Sequence, residues 1–298
     1  MPEGDTIFRS ARALGKALTG KRVTRFETAL APLASVDDNS PVAGRTIENV
    51  EAHGKWLLIH FSGDLILVTH MLMSGSWHIY RVTDGQSERW RVSRRSMRCV
   101  VRVEDFEAVA FNVPVAKFYT SRTLERHSMI PKLGPDLLKA DYDEQEARAR
   151  VLARPEEEIA NVLLNQRVIA GLGNVYKTEV CFLCGVHPFR KVASLTPSEL
   201  DDLLYQSRKL IGENVQQNAD DKILTYTGAR RTTRSADQAS RLWVYGRQGQ
   251  PCRRCGTAVL MRKQGPDARS TYWCPQCQPG DALVQGWAMT SGRKRVGC

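Results

Sequence analysis

The chain has 298 residues, 42% of them apolar and 25% charged, which suits about two globular domains and excludes a fibrous or wholly disordered chain. Lys and Arg outnumber Asp and Glu by 43 to 32, so the formal net charge is +11 and the pI near 9.4, a field that draws polyanions, nucleic acid first among them. No apolar leader precedes the first helical pattern and no run reaches the roughly eighteen apolar residues of a membrane span. A cytosolic protein with reduced thiols and no membrane partner is therefore expected.

The chain opens MPEGDTIFRS. Ile7, Ala11, Leu14 and Leu18 recur at helical spacing, which predicts a helix over 5–18 with Asp5 as its cap and Gly20 as its stop. Methionine in front of Pro2 is normally trimmed, so the mature chain is expected to begin with a secondary amine followed by the Glu3 carboxylate. From Lys21 to about Val115 the texture changes to short β-branched runs: KRVTRFET, TIENVEAHGKWLLIHF, LILVTHMLM, SWHIYRV, MRCVVRV and AVAFNV. Gly, Asp, Asn and Ser punctuate them, the pattern of an antiparallel sandwich or barrel. Pro131, Gly134 and Pro135 then mark a junction to helical periodicity. Helices are predicted over 144–153, over 156–166 with Pro155 at the start, and over 174–184. A fourth begins at Thr196-Pro197, where Glu199 completes a capping box. Residues 214–240 are polar and arginine-rich and read as a loop.

The positive charge is clustered. Between Tyr226 and Trp273 there are ten Lys and Arg and two Asp, so eight of the eleven net charges fall within 48 residues. A merely solvated basic face is the alternative to a nucleic-acid surface. The same stretch contains QPCRRCGTAVLMRKQGPDARSTYWCPQCQ, with Cys252, Cys255, Cys274 and Cys277 in two C-x-x-C knuckles eighteen residues apart. Four thiolates at that spacing suit one closed, tetrahedral zinc site of structural type, carried on a hairpin that turns at Gly265-Pro266. Paired disulfides are the competing reading. Cys181 and Cys184 also spell C-x-x-C, but among Val180, Phe182 and Leu183 they read as core thiols. Cys99 and Cys298 are uninformative singles. In NQRVIAGLGNVYK no Gly-Lys-Ser/Thr follows the glycines, so this is not a Walker loop. It predicts a tight turn with Asn174 capping the next helix, whose amide groups and dipole suit a phosphate.

PEGDTI, HGKWLLIHF, THMLMSGSW, LGPDLL, NQRVIAGLGN and YWCPQCQ, in this order, resemble the formamidopyrimidine-DNA glycosylase and endonuclease VIII family over residues 2 to about 278. The resemblance implies an α+β chain in four parts. These are an N-terminal antiparallel β-sandwich with an N-terminal helix (1–130), a helix–two-turns–helix domain (131–240), a four-cysteine zinc-finger hairpin (241–278) and a disordered basic tail (279–298). It implies a monomeric base-excision repair enzyme, a DNA glycosylase and AP lyase, whose partner is double-stranded DNA with damaged bases or abasic sites. Pro2 is then the nucleophile: an α-amine titrates near 8, and the positive end of the first helix disfavours its ammonium form. Attack at C1′ displaces the base and forms a Schiff base. A secondary amine leaves that intermediate as a cationic iminium, which acidifies C2′ and leads to β- and then δ-elimination. Glu3 serves as general acid/base. Lys55 contacts a phosphate beside the lesion, Asn174 and Arg269 form a phosphate-gripping pair, and one structural zinc ion holds Arg269 in place. Met73 matches the position that fills the void left by the flipped nucleotide.

Two segments divide the branches of the family, and one residue departs from both. The purine-lesion branch has Arg-Arg-Phe-Gly where this chain has Val113-Pro114-Val115-Ala116, as endonuclease VIII does, and the Pro-Glu-Gly opening leans the same way. Oxidised pyrimidines are therefore favoured as substrates. VYGRQG before Cys252 resembles the purine branch instead, so 8-oxoguanine and formamidopyrimidine remain the alternative. Thr6 stands where both branches usually have glutamate. A non-enzymatic zinc-containing DNA-binding protein would keep the basic face and the zinc finger but needs no mature Pro-Glu terminus; a ribosome-associated RNA binder would explain the charge and the helical hairpin but not Lys55 or Met73.

Overall fold

The computed structural model describes residues 2–127, 129–216, 231–233 and 240–280. Two compact units part near Leu138. Among the described residues no helix is long and apolar enough to cross a membrane.

The first unit begins with α1 (Gly4–Leu18), which buries Ile7, Ala11, Leu14, Ala17 and Leu18 along one face, as the periodicity predicts. Its start differs from the prediction. Glu3, not Asp5, is the cap, extended at φ −124° and ψ −175°, and its carbonyl accepts from the Thr6 and Ile7 amides at 3.0 and 3.1 Å. Asp5 lies inside the first turn, drawn along the helix by Arg9 at 3.1 Å, so its side chain is not at the capping position.

Two antiparallel sheets follow. One has the order β1 (Arg25–Thr28), β7 (Met97–Arg102), β8 (Phe106–Phe111), β5 (Ser76–Thr83), β6 (Gln86–Ser87). The other has the order β2 (Ile47–His53), β3 (Trp56–Phe61), β4 (Leu65–His70), β9 (Val115–Tyr119). Leu57, Ile59, Phe61, Leu67, Trp77, Val101, Ala108 and Phe118 pack with α1 into one core. The alternate residues are covered too. Tyr80, Val100, Val109 and Phe111 lie under Trp90 and Val92, while Leu58, Ile66, Val68 and Tyr119 lie under Trp56, Leu124 and Ile130. Burial of both faces explains why LILV and AVAF are continuous apolar runs rather than alternating ones.

The run TIENVEAHGKWLLIHF is two strands, not one. It folds back at Gly54, whose φ of 58° suits glycine and whose amide donates to Asp136 Oδ2 at 2.9 Å. Sequence periodicity also misses α2 (Ala31–Asn39), which buries only Leu33, along with β9 and α3 (Ser121–His127).

The second unit is helical with a terminal hairpin. Asp143 caps α4 (Glu144–Leu152), accepting from the Glu146 amide at 2.8 Å. The next helix, α5 (Ile159–Leu164), is shorter than predicted. Pro155 sits in a turn before it, because the Ile159 amide is taken by the Arg190 carbonyl at 2.8 Å and Glu158 bridges to Lys191. After α6 (Asn174–Leu183) comes α7 (Pro197–Gln216). Thr196 and Glu199 form the reciprocal box at its start, at 2.8 and 3.2 Å. Because α7 runs to Gln216, the predicted loop starts later than 214; most of the rest of that loop, like the basic tail after Gly280, lies outside the described residues. The hairpin pairs β10 (Leu260–Gln264) with β11 (Arg269–Trp273), Leu260 opposite Trp273 and Gln264 opposite Arg269.

Candidate functional site

In the first unit, the sequence-predicted residues collect at the start of α1 and at two strand turns. Pro2 is half-buried and Glu3 wholly buried at the positive end of the helix. Behind Glu3, the buried Asp5 carboxylate is matched by Arg9 and by the Thr6 hydroxyl at 3.3 Å. Thr6, at the position of the family's second glutamate, thus bonds to a carboxylate that is already engaged with a cation.

Lys55 is half-buried in the turn between β2 and β3. His70, at the end of β4, packs edge-on to Trp56 with ring centroids 4.6 Å apart. Burial, and then the positive charge of Lys55, bring its imidazole down to about 4. The Leu72 amide donates to its Nδ1 at 3.0 Å, so the neutral ring carries its proton on Nε2. His70 was not singled out from sequence.

The run LILVTHMLM stops being a strand at His70 because the chain turns. The Gly75 amide reaches the Met71 carbonyl at 2.8 Å and Leu72 adopts φ 45°. A Cβ on Gly75 would stand 2.6 Å from that carbonyl oxygen, so only glycine closes the turn. Met71 is buried at 1% exposure, whereas Met73 is displayed at 63%. A core methionine, the ordinary reading of this run, does not describe Met73.

In the second unit, Gln166 braces the glycine turn. Its Oε1 accepts from the Gly171 amide at 3.0 Å and its Nε2 donates to the Leu172 carbonyl at 2.8 Å. Gly171 has φ 103°. Asn174 is the first residue of α6 and Gly173 is its cap, because the Asn174 side chain is used elsewhere: Nδ2 donates to the Ser270 carbonyl at 2.8 Å. Its Oδ1 is buried without a hydrogen-bond partner. Asn174 is thereby tied to the strand that carries Arg269. That arginine is 38% exposed and 3.4 Å from Asp267.

Sequence reasoning missed two buried charged residues of α6, the first of which strengthens this tie. Lys177, one turn along α6 and fully buried, donates to Thr271 Oγ1 at 2.8 Å and reaches Gln264 Oε1 at 3.4 Å. Gln264 continues to Glu158 at 2.8 Å and to the Pro188 carbonyl at 3.0 Å. Glu179 accepts from the Thr232 hydroxyl and from the Trp243, Val244 and Tyr245 amides, the backbone bonds measuring 2.7 to 2.9 Å. Lys and Glu three to five residues into a helix ordinarily read as solvated, and nothing local marks these as buried.

The four knuckle sulfurs lie within 4.8 Å of one another, the one such group of potential metal ligands among the described residues. Cys252 and Cys277 sulfurs are 3.9 Å apart and those of Cys255 and Cys274 3.4 Å, far too long for disulfides. Four sulfurs about 2.3 Å from a tetrahedral zinc ion would stand roughly 3.8 Å apart, which the cluster fits. Cys181 is core, as expected, and burial pushes its thiol up to about 12.

The first unit thus opens on a buried acid beside an imino residue, and the second ends in a four-cysteine hairpin tied to a glycine turn. The family model for the formamidopyrimidine-DNA glycosylase N-terminal domain matches residues 1–114, the H2TH domain of the same glycosylase matches 133–224, and a zinc finger found in FPG and IleRS matches 249–280. "Probable endonuclease 8 2" of Streptomyces coelicolor is 37% identical, the alignment covering 96% of this chain and 97% of that one. "DNA-(apurinic or apyrimidinic site) lyase Nei2" of Mycolicibacterium smegmatis is 35% identical over 93% and 99%. In fold, the chain is similar to Lactococcus lactis Fpg solved with abasic-site DNA, with a TM-score of 0.76 at 22% identity, covering 94% of this chain and 100% of that one. The chain belongs to the formamidopyrimidine-DNA glycosylase and endonuclease VIII family, on its endonuclease VIII side.

Proposed function

We propose that the protein is a bifunctional DNA glycosylase and AP lyase of base-excision repair that uses Pro2, freed by loss of Met1, as its nucleophile. The observation that carries this reading is the start of α1, where an imino residue adjoins a fully buried carboxylate at the positive helix end. The nitrogen lone pair of Pro2 bonds to C1′, the glycosidic bond breaks with its electron pair going to the damaged base, and the departing base takes up the proton that the Pro2 nitrogen gives up. Glu3 delivers a proton to the ring oxygen as the sugar opens, giving an iminium that has no N–H proton to lose. Loss of a C2′ proton then expels the 3′ phosphate, a second elimination expels the 5′ phosphate, and water releases Pro2.

Lys55, Asn174 and Arg269 hold phosphates flanking the lesion. The exposed Met73 fills the space of the flipped nucleotide. Zn²⁺ is the ion for the cysteine cluster; bound there, it closes the knuckles and fixes the hairpin that bears Arg269. Oxidised pyrimidines are the substrates this chain favours. Val113 is buried and 115–119 form a strand against β4, so neither an arginine nor an exposed phenylalanine stands where the purine branch reads the opposite strand.

Borohydride reduction during incubation with an abasic-site duplex tests the chemistry. A covalent adduct on the peptide beginning at Pro2 is the expected result. An adduct undiminished in Pro2→Gly, or Met1 retained on active enzyme, overturns it. Duplexes with thymine glycol, dihydrouracil and 8-oxoguanine, cut side by side, test the lesion class.

A further inference from the structure

The outer face of the five-stranded sheet is crossed by the segment ERWRVSRRSMR, residues 88–98, which holds five arginines against one glutamate. Two apolar residues pin it down. Trp90 and Val92 pack on the Tyr80, Val100, Val109 and Phe111 cluster; Trp90 Nε1 donates to the buried Glu107 carboxylate at 2.8 Å, and the Arg91 amide donates to Tyr80 Oη at 3.2 Å. Beside these anchors Arg89 and Arg91 are exposed, and they help to line an open trough of about 710 Å³.

The trough has a charge imbalance built into it. Arg25 and Arg94 both pair with Glu27, and Arg102 donates to the Gly85 carbonyl. Glu107 is committed to Trp90, and Glu88 is the one other acid in the lining. Arg89, Arg91 and the neighbouring Arg95 have no ion pair or side-chain hydrogen bond among the described residues. A polyanion would be the natural occupant. The Trp90 ring is already packed by Arg94 at 5.1 Å, by Tyr80 at 6.3 Å and by Phe111 edge-on at 5.5 Å, which disfavours a base stacking there. Recognition is left to phosphates, without sequence preference. The trough lies on the side of this sheet opposite the core that α1 joins, so it is separate from the Pro2–Glu3 end.

We propose that the arginine strap over this sheet is a second DNA-binding surface, which grips the backbone of undamaged duplex outside the catalytic site. It rests on the reading of the protein as a DNA repair enzyme, and its test can fail independently of that reading. Full-length Arg89→Ala/Arg91→Ala/Arg95→Ala and the wild type are titrated with an undamaged duplex between 50 and 200 mM salt, and their cutting of an abasic-site duplex is timed at saturating protein. Each phosphate contact contributes about −0.9 to the slope of log K against log salt, so the triple variant should lose roughly 2 to 3 from that slope. Its single-turnover cutting rate should stay within about twofold of wild type, and the corresponding triple lysine variant should recover the slope, because charge rather than guanidinium geometry is required. An unchanged slope in the alanine variant overturns the proposal. So does a cutting rate that falls in step with it, which would make the strap part of the catalytic surface. Absence of cutting by the wild type would instead sink the enzymatic reading and leave the slope to decide the strap.

Discussion

Met73 and Arg269 are positioned by opposite means. Met73 is displayed by five consecutive residues, closed by one backbone hydrogen bond and a glycine that cannot be replaced. Arg269 stands on a two-stranded hairpin held from a distance, by Asn174 across 96 positions, by Lys177 across 94 and by four thiolates. A turn of the first kind keeps its shape as long as its own backbone does. A hairpin of the second kind depends on every distant partner, because two strands alone are marginally stable in water.

Removing the metal should separate the two most sharply. Chelation, or Cys274→Ala, should unfold the hairpin, since binding energies on the order of 10 kcal/mol stabilise such sites. DNA affinity is expected to fall by two orders of magnitude or more, while amide exchange in β3, β4 and β8 stays slow. Loss of protection in those strands would show that the sandwich also needs the metal. Next in size is Gly75→Ala, where a methyl group 2.6 Å from a carbonyl forces the turn open. Base excision should drop about a hundredfold, on the scale of a misplaced catalytic group, with metal content unchanged at one ion per chain. Normal excision would remove Met73 from the mechanism.

Thr271→Val takes an acceptor from the buried Lys177 ammonium and a donor from Gln264. The expected cost is about 1–3 kcal/mol, read as a lower unfolding midpoint, together with weaker DNA binding and unchanged borohydride trapping at saturating DNA. The smallest effect concerns pH. An unfolded histidine titrates near 6.5 and folded His70 near 4, so between those values the unfolded chain takes up the proton and the folded one does not. Stability should therefore decline as pH drops from about 6.5 toward 4 and be indifferent to His70 above that window. His70→Gln should flatten the decline in a plot of melting temperature against pH.

The same contrast explains what the sequence could disclose. The α1 face, the Thr196–Glu199 box and the cysteine spacing are local patterns, and each appears in the structure where the pattern lies. Lys177 and Glu179 are buried by contacts with residues more than fifty positions away, and Gln264 also reaches Pro188 76 positions back, so no window of sequence contains the reason for their burial. The errors have the same origin. Asn174 matches a cap by type, yet Ser270 claims its side chain; Pro155 suits a first helical position, yet Arg190 claims the next turn's amide. TIENVEAHGKWLLIHF looks continuous because its fold-back needs only one glycine, anchored by a carboxylate 82 residues on. The arginine strap lies outside the charge cluster that the sequence reveals at 226–273. What composition could not give is that Trp90 and Val92 are its underside.

With nearly two thirds of its surface in water, Met73 leaves the uncomplexed protein carrying an apolar side chain that solvent does not favour. Sliding that chain into a gap between stacked bases would return about 1.5–3 kcal/mol of hydration free energy, at the moment when opening the helix costs most. On the proposed role of Met73, the turn at Gly75 would set part of the driving force for nucleotide extrusion before any DNA arrives.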